Sequence, residues 1–152
     1  MAERIRANVA ASQRASASSK FDAWAKTFSP SQLPSRASVA FEARLPKSMY
    51  PGVPARNHFR EANTQLLRAM DADSGFAKMM DGLIPGIRNQ LVNPRSISTK
   101  PPKGWTWHHA VGEGRMQLIP SIHHWDSNLW PILHPPVNGQ MKGGMSIWGG
   151  GY

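Results

Sequence analysis

The stretch that decides the fold runs from Trp105 to His123 and reads WTWHHAVGEGRMQLIPSIH. Residues 105–110 are rich in aromatic side chains and have the pattern of a strand, and the glycines in residues 111–114 indicate a turn. Polar and apolar side chains then alternate over residues 115–118, as they do in a returning strand. Ser121 follows a proline and can open a short helix. The segment therefore predicts two antiparallel strands followed by a helix.

Histidines are concentrated in and just after this segment, because five of the six lie between His108 and His134. Imidazole is the commonest metal ligand and the natural general base near neutral pH. Adjacent residues on a strand point to opposite faces, so His108 and His109 cannot easily bind one ion together. His123 and His134 would be separated by about 16 Å of rise in a continuous helix. They could therefore bind the same ion only if the helix breaks between them. We interpret the cluster as a metal-dependent phosphodiesterase site.

Composition and charge narrow the classes of partner. The formal net charge is +9, and residues 1–104 carry 16 Lys and Arg against seven acidic residues, whereas residues 105–152 carry two against two. Such an excess favours polyanions such as nucleic acid or an anionic membrane surface. Cysteine is absent, which excludes thiolate-bound zinc, disulfides and thiol nucleophiles. No apolar run reaches the ~18 residues of a membrane helix, and no signal peptide is visible, so we expect no stable membrane insertion.

The chain divides into a predicted arm and a predicted domain. Residues 1–45 are rich in Ala, Ser and Arg and are interpreted as a flexible arm or linker, and residues 46–152 as the compact domain. Within that domain, residues 56–98 are expected to be helical and residues 105–150 to form the histidine-bearing part. The fold class is therefore α+β, with a small helical scaffold before the strands and the short helix.

Three helices are predicted in the scaffold. The first carries an apolar stripe at three- and four-residue spacing and is expected to be capped by Asn57. Ser74 is expected to cap the second helix, which runs through Met80 and is ended by Gly82. The third begins around Pro85. The apolar positions that define the first and third helices are Phe59, Ala62, Leu66 and Met70, and Ile87 and Leu91.

Four short motifs together carry a family resemblance: WTWHHA from Trp105, GRMQLIPSIH from Gly114, LHP around His134, and GGMSIWG from Gly143. They resemble the WHH branch of the HNH/endonuclease VII nucleases, whose fold is a ββα-metal finger. Members of that branch commonly form the toxic C-terminal domains of bacterial polymorphic toxins. The resemblance covers roughly residues 105–150.

The resemblance implies a role for each histidine of the cluster. It makes His108, His123 and His134 the metal ligands and His109 the general base. His124 is the alternative to His123, because the two are adjacent. Many HNH enzymes have an asparagine where this chain has Gly114, so a backbone carbonyl or Gln117 is expected to orient the base instead.

Other side chains receive less specific predictions. Arg115 opens the second strand and is a possible phosphate contact, and His58 is interpreted as structural or surface. The aromatic rings are expected to form the core of the finger rather than to stack on bases; these are Trp105, Trp107, Trp125, Trp130 and Trp148. Sequence-independent phosphate contacts are expected from the upstream cations Arg56, Arg60, Arg68, Arg88 and Lys103.

These observations lead to the hypothesis of a metal-dependent endonuclease that hydrolyses nucleic acid, with DNA preferred over RNA. The alternatives are an RNase of the same fold and a non-catalytic nucleic-acid-binding module with a structural zinc. Three imidazoles leave one metal position open, which favours catalysis. The cofactor is expected to be one divalent ion: Mg, Mn, Zn or Ni. The resemblance further implies a bacterial effector, delivered into the cytoplasm of a target cell and bound by a cognate acidic immunity protein.

Overall fold

A computed structural model describes residues 39–151. Its first half holds β1 (Phe41–Arg44), a 3-10 turn (Lys47–Met49), α1 (Ala55–Ala72), α2 (Ser74–Leu83), α3 (Ile87–Leu91), β2 (Val92–Asn93) and β3 (Ser96–Ile97). The second half holds β4 (Trp105–His109), β5 (Arg115–Pro120), α4 (Ser121–His124), α5 (Trp130–Leu133), β6 (Pro136–Val137), β7 (Gln140–Met141) and α6 (Gly144–Ile147). None of the described helices is long and apolar enough to cross a membrane.

The main sheet has three antiparallel strands in the order β1-β5-β4, so β4 lies at an edge. In the β4–β5 hairpin Trp107 lies opposite Leu118, and His108 lies opposite Gln117. Because side chains alternate along a strand, Trp107 and His109 share one face and His108 occupies the other.

The two faces of the sheet have different neighbours. The Trp107 face packs on α1, α2 and α3, and it contributes Trp107, Met116 and Leu118 to the larger core. The His108 face is covered by a smaller cluster made of Val39, Ile119, Leu129 and Leu133, of which Leu133 belongs to α5. The edge strand therefore carries one histidine toward the helical scaffold and the next toward α4 and α5.

Asn63 of α1 fixes the scaffold to β4. Its side chain is fully buried, and its Nδ2 donates to the backbone carbonyls of Ser98 and Lys100, both at 2.9 Å. Its Oδ1 accepts the indole N–H of Trp107 at 2.8 Å. Both polar atoms of the buried Asn63 amide therefore have hydrogen-bond partners. These bonds position the strand that carries the histidines.

The predicted α+β class is confirmed, and β4, β5 and α4 follow one another as the strand–turn–strand–helix pattern required. The predicted caps are wrong. α1 starts after Pro54 with no side-chain cap, and α2 is capped by Asp73, whose carboxylate accepts the Phe76 N–H at 3.0 Å. Both aspartate and serine are good caps, so composition alone did not choose between neighbouring positions.

The sheet begins earlier in the chain than the expected domain boundary at residue 46. β1 lies inside the segment 1–45 that was interpreted as an arm, and it pairs with β5 so that Phe41 faces Leu118 and Arg44 faces Arg115. A four-residue strand becomes recognisable only through its partner, which lies more than 70 residues away. The rest of that predicted arm, residues 1–38, lies outside the described residues.

Candidate metal centre and general base

Three histidines from three different elements converge at the edge of the sheet. His108 belongs to β4, His124 ends α4, and His134 follows α5. Their ligand atoms all lie within 4.8 Å of one another. Metal–nitrogen bonds of about 2.1 Å place two imidazole nitrogens of one ion no more than about 4.2 Å apart. A small closing movement therefore suffices for these three side chains to share an ion.

The protonation of the cluster suits a metal. Burial, and then the neighbouring imidazoles, lower the pKa of His108 to about 3, and burial and His134 lower that of His124 to about 4. The rings are neutral at pH 7, which metal binding requires. The backbone of Leu133 acts in the opposite direction on the pKa of His108, but burial outweighs it.

Two atoms of the cluster have no partner. His124 Nδ1 and His134 Nδ1 are the buried side-chain nitrogen or oxygen atoms of the described residues that lack a hydrogen bond. Buried polar atoms are normally satisfied, and an unsatisfied one indicates a missing water or ion. The residues present therefore fit a divalent metal ion.

The structure brings His124, not His123, into the cluster. α4 is a single turn, in which adjacent residues point about 100° apart, so only one of the two can face His108. His123 is buried elsewhere, at 6% exposure. The sequence could not decide this, because the orientation of so short a helix depends on how it packs.

His109 lies on the other face of β4 and is hydrogen-bonded to a histidine of the scaffold, His58. His58 Nε2 lies 2.8 Å from the Met49 carbonyl oxygen, and His58 Nδ1 lies 3.0 Å from His109 Nε2. A carbonyl oxygen can only accept, so the proton of a neutral His58 is on Nε2 and its Nδ1 is an acceptor. His109 must then donate from Nε2. The lone pair of a neutral His109 is consequently on Nδ1.

That lone pair is accessible. Among the described residues, the fully buried side-chain nitrogens without a hydrogen-bond partner belong to His124 and His134, so His109 Nδ1 is not a fully buried atom without a partner. His109 also lines a cavity of about 440 Å³ together with His108, His124 and His134. Burial, and then His58 and His124, lower the pKa of His109 to about 3, so its ring is unprotonated at neutral pH. A bound anionic phosphate acts in the opposite direction and favours the protonated form. The cavity thus holds an available base beside a candidate metal site.

The expected orientation of the base by Gln117 is wrong. The Gln117 amide donates to Glu42 at 3.2 Å, and it lies on the His108 face of the sheet. At Gly114, where φ is +70°, a Cβ atom would lie 2.9 Å from the Tyr50 hydroxyl and 3.1 Å from the Leu45 carbonyl oxygen, so an asparagine there would have to displace the Tyr50 side chain. His58 takes the orienting position instead.

His58 is the functional candidate that sequence reasoning missed. It was interpreted as structural or surface, yet it is fully buried. The available signal was its position four residues before Ala62, on the apolar stripe of α1. A polar side chain on a buried stripe needs a partner, although the sequence does not show that the partner is His109.

The cations predicted to contact phosphate lie outside the cavity lining. Arg115 forms a bidentate ion pair with Glu42, to whose carboxylate the Arg115 Nε and Nη2 donate at 3.0 and 2.7 Å. Arg115 does not line the cavity. Arg88 forms an exposed ion pair with Asp71 at 2.7 Å. Exposed positions on α1 and in the loop before β4 hold the others, Arg56, Arg60, Arg68 and Lys103. Their contacts with phosphate stay predictions.

The tryptophans divide into two groups. Trp105, Trp107 and Trp148 are buried, as predicted for core residues, and Trp130 is half-buried. The core prediction is wrong for Trp125, which is 71% exposed. This ring lines the same cavity as the histidines.

The glycine-rich C-terminal tract packs closely around α6. A Cβ atom on Gly143 would lie 2.7 Å from His134 Cδ2, and one on Gly144 would collide with the Ala110 carbonyl oxygen. The same carbonyl accepts the Trp148 indole N–H at 2.8 Å. These glycines let α6 approach the end of β4 and the third histidine of the cluster.

Comparison with known proteins agrees with this geometry. Residues 98–151 match a family model described as a nuclease of the HNH/ENDO VII superfamily with conserved WHH. The matched segment contains Trp107, His108 and His109 in that order, together with all three histidines of the cluster. Searches of curated proteins and of solved structures found no significant match. Residues 98–151 are therefore similar to the WHH nucleases of the HNH/ENDO VII superfamily, a family whose reaction class is phosphodiester hydrolysis.

Proposed function

We propose that this protein is a metal-dependent endonuclease in which His108, His124 and His134 hold one divalent ion and His109 is the general base. The observation that carries the proposal is the shared cavity, into which the three-histidine cluster and the accessible His109 both open. Since His108 and His109 lie on opposite faces of an edge strand, the metal site and the base can contact one phosphodiester from two directions.

The chain supplies the base and its orientation. His109 Nδ1 accepts a proton from the attacking water, and the resulting imidazolium is stabilised because its Nε2–H already donates to His58. His58 is in turn held by the Met49 carbonyl. A divalent ion held by His108, His124 and His134 would supply Lewis-acid polarisation of the scissile phosphate, a task for which the cavity lining offers no lysine or arginine.

The choice of metal follows from the ligand set. Three imidazoles suit zinc or nickel, whereas magnesium and manganese prefer oxygen ligands. The same count argues against a purely structural zinc, which normally fills four protein positions. We therefore expect the cluster to bind Zn²⁺ and Ni²⁺ more tightly than Mg²⁺, while substrate oxygens allow turnover with Mg²⁺ or Mn²⁺.

A cleavage assay tests the function. The purified chain is incubated with supercoiled plasmid, single-stranded DNA and an RNA transcript, first with EDTA and then with each of the four metals. We expect cleavage that EDTA abolishes and added metal restores, and DNA cut in preference to RNA. If folded protein cuts none of the three substrates with any metal, the alternative of a non-catalytic binding module with structural zinc replaces the nuclease.

The biological setting is a further part of the proposal, and it is supported by the family resemblance and by the net charge of +9. An antibacterial effector should stop growth when it is produced in a bacterial cytoplasm, and the His109→Ala variant should not. An acidic immunity protein should form a salt-sensitive complex with the chain. Equal growth of cells producing the parent and the variant would contradict the effector role.

A further inference from the structure

Trp125 is a large apolar side chain that the fold leaves in solvent. At 71% exposure it is far more exposed than the buried Trp105, Trp107 and Trp148. We propose that Trp125 stacks on a nucleobase beside the scissile phosphate, so that the nuclease takes its substrate with that nucleotide unpaired. This inference rests on the proposed function and names the substrate form that the site accepts.

The first support is a column of aromatic rings. His134 stacks on Trp130 with ring centroids 3.8 Å apart and planes 23° apart, and Trp130 stacks on Trp125 at 5.9 Å and 17°. The Trp130–Trp125 spacing lies within the range of favourable stacked aromatic pairs. The column begins at a histidine of the cluster and ends at an indole that is 71% exposed.

The second support is the position of that outer ring. The Trp125 ring lies 4.8 Å from the ring of His124, in an edge-on arrangement, and it lines the cavity that contains His109. A nucleotide whose phosphate reaches the cluster thus has its base, or that of its neighbour, close to the indole. The stacking surface and the chemistry belong to one site.

The third support is the chemistry of the surroundings. The cavity lining contains aromatic rings, histidines, methionines and small residues, and it contains no carboxylate to repel a phosphate. The nearest acid in sequence, Asp126, uses Oδ1 to accept the backbone N–H groups of Asn128 and Leu129 at 2.7 and 3.3 Å. A stacked base therefore meets apolar surface beside the indole.

Pairing decides which nucleic acids can use this surface. Bases inside a duplex are stacked on both faces, so an enzyme that contacts a base face must act on a single strand or take the base out of the stack. Every base has a π-face, so stacking is tolerant of sequence. We therefore expect single-stranded or locally melted substrate to be favoured, with little dependence on which base is present.

A binding experiment separates this contact from catalysis. The non-cleaving His109→Ala chain is the background, and its affinity for a labelled 12-nucleotide single strand and for a hairpin duplex is measured by fluorescence anisotropy in EDTA. Trp125→Ala and Trp125→Phe are compared with Ile122→Ala, a matched control on α4 that is 37% exposed and lies outside the cavity lining. We expect Trp125→Ala to weaken single-strand binding about tenfold, and Trp125→Phe and Ile122→Ala to weaken it less.

A scan of abasic positions along the single strand identifies the stacked base. One abasic position should weaken binding to the parent background, and Trp125→Ala should remove that sensitivity because the contact is already lost. Unchanged binding by Trp125→Ala, or equal loss for strand and duplex, overturns the stacking proposal even where the wild-type chain cleaves nucleic acid. Absence of both binding and cleavage in the wild-type chain removes the nuclease function itself, and the stacking proposal with it.

Discussion

At the scale of single residues, the His58–His109 pair makes the most specific claim. Replacing His58 with leucine removes the acceptor for His109 Nε2–H, whereas asparagine keeps an oxygen near the position of Nδ1. We expect His58→Leu to lower kcat by more than tenfold with KM nearly unchanged, and His58→Asn to recover much of the loss. The measurement is steady-state cleavage of a fluorogenic oligonucleotide by the metal-loaded protein.

Nuclear magnetic resonance adds a readout that a merely structural role would not move. Long-range ¹H–¹⁵N spectra of the metal-free protein should show His109 protonated at Nε2, a state that His58→Asn should preserve and His58→Leu should lose. Metal affinity should be equal in all three proteins. Equal kcat values for parent, leucine and asparagine variants would show that His58 does not position the base.

The adjacent pair His123 and His124 gives a second residue-scale prediction. Since the structure places His124 within ligand distance of His108 and His134, His124→Ala should weaken Zn²⁺ binding at least a hundredfold, by the loss of one of three ligands. The matched variant His123→Gln should retain the parent affinity. Isothermal titration with Zn²⁺ measures both, and the reverse ranking would return the ligand role to His123.

Residue-level prediction from the sequence succeeded where local geometry decides the outcome. Strand alternation separated His108 from His109, and the structure places them on opposite faces of β4. It failed where packing decides: the choice between His123 and His124 depends on how α4 is rotated, and the role of His58 depends on a contact 51 residues along the chain.

At the scale of elements, the approach of α6 to the cluster depends on Gly143. A Cβ atom there would lie 2.7 Å from His134 Cδ2 and must displace that ring. We expect Gly143→Ala to weaken Zn²⁺ binding about tenfold while changing the free energy of unfolding of the metal-free chain by less than about 1 kcal/mol. Titration calorimetry and urea denaturation give the two quantities.

Gly82→Ala is the matched control, because Gly82 lies in α2 with nothing within 4 Å of its Cβ position. It should leave metal binding unchanged and raise stability by up to about 1 kcal/mol, through the helix propensity of alanine. Unaltered metal affinity in Gly143→Ala would show that α6 does not support the third histidine.

Among the elements, the β4–β5 hairpin and α4 were predictable because turn glycines, alternation and Pro120 all indicate them locally. β1 was not predictable, since its four residues have no turn signal and gain their identity from pairing with β5. The break between α4 and α5 was required by the spacing of the histidines. It is found at residues 125–129.

At the scale of the whole molecule, Asn63 joins the helical scaffold to the strand that carries the site. Asn63→Leu would leave the Trp107 indole N–H and the Ser98 carbonyl unsatisfied, and it would leave the Lys100 carbonyl with only the Ser98 hydroxyl as donor, at 3.3 Å. We expect the free energy of unfolding to fall by about 2–4 kcal/mol, since each buried unpaired group costs about 1–3 kcal/mol. Urea denaturation followed by tryptophan fluorescence measures the change.

The control for Asn63 is Thr64→Ala, whose hydroxyl donates only to the Arg60 carbonyl within the same helix. It should cost less than about 0.5 kcal/mol. Equal effects of the two substitutions would show that the scaffold and β4 are held together by apolar packing alone. The sequence predicted the three scaffold helices but not the hairpin of β2 and β3 at the end of the range expected to be helical. The amide that joins the scaffold to Trp107 follows only from packing.

The most direct measurement compares wild-type chain, His109→Ala and His124→Ala in two assays on the same preparations, Zn²⁺ titration and Mg²⁺-dependent cleavage of single-stranded DNA. The geometry predicts that His109→Ala binds one ion per chain with the wild-type affinity and cleaves at least a hundredfold more slowly. It also predicts that His124→Ala loses both metal affinity and cleavage. Cleavage by His109→Ala at the wild-type rate, or full metal binding by His124→Ala, would contradict the proposed division between a base on one face of β4 and a metal site on the other.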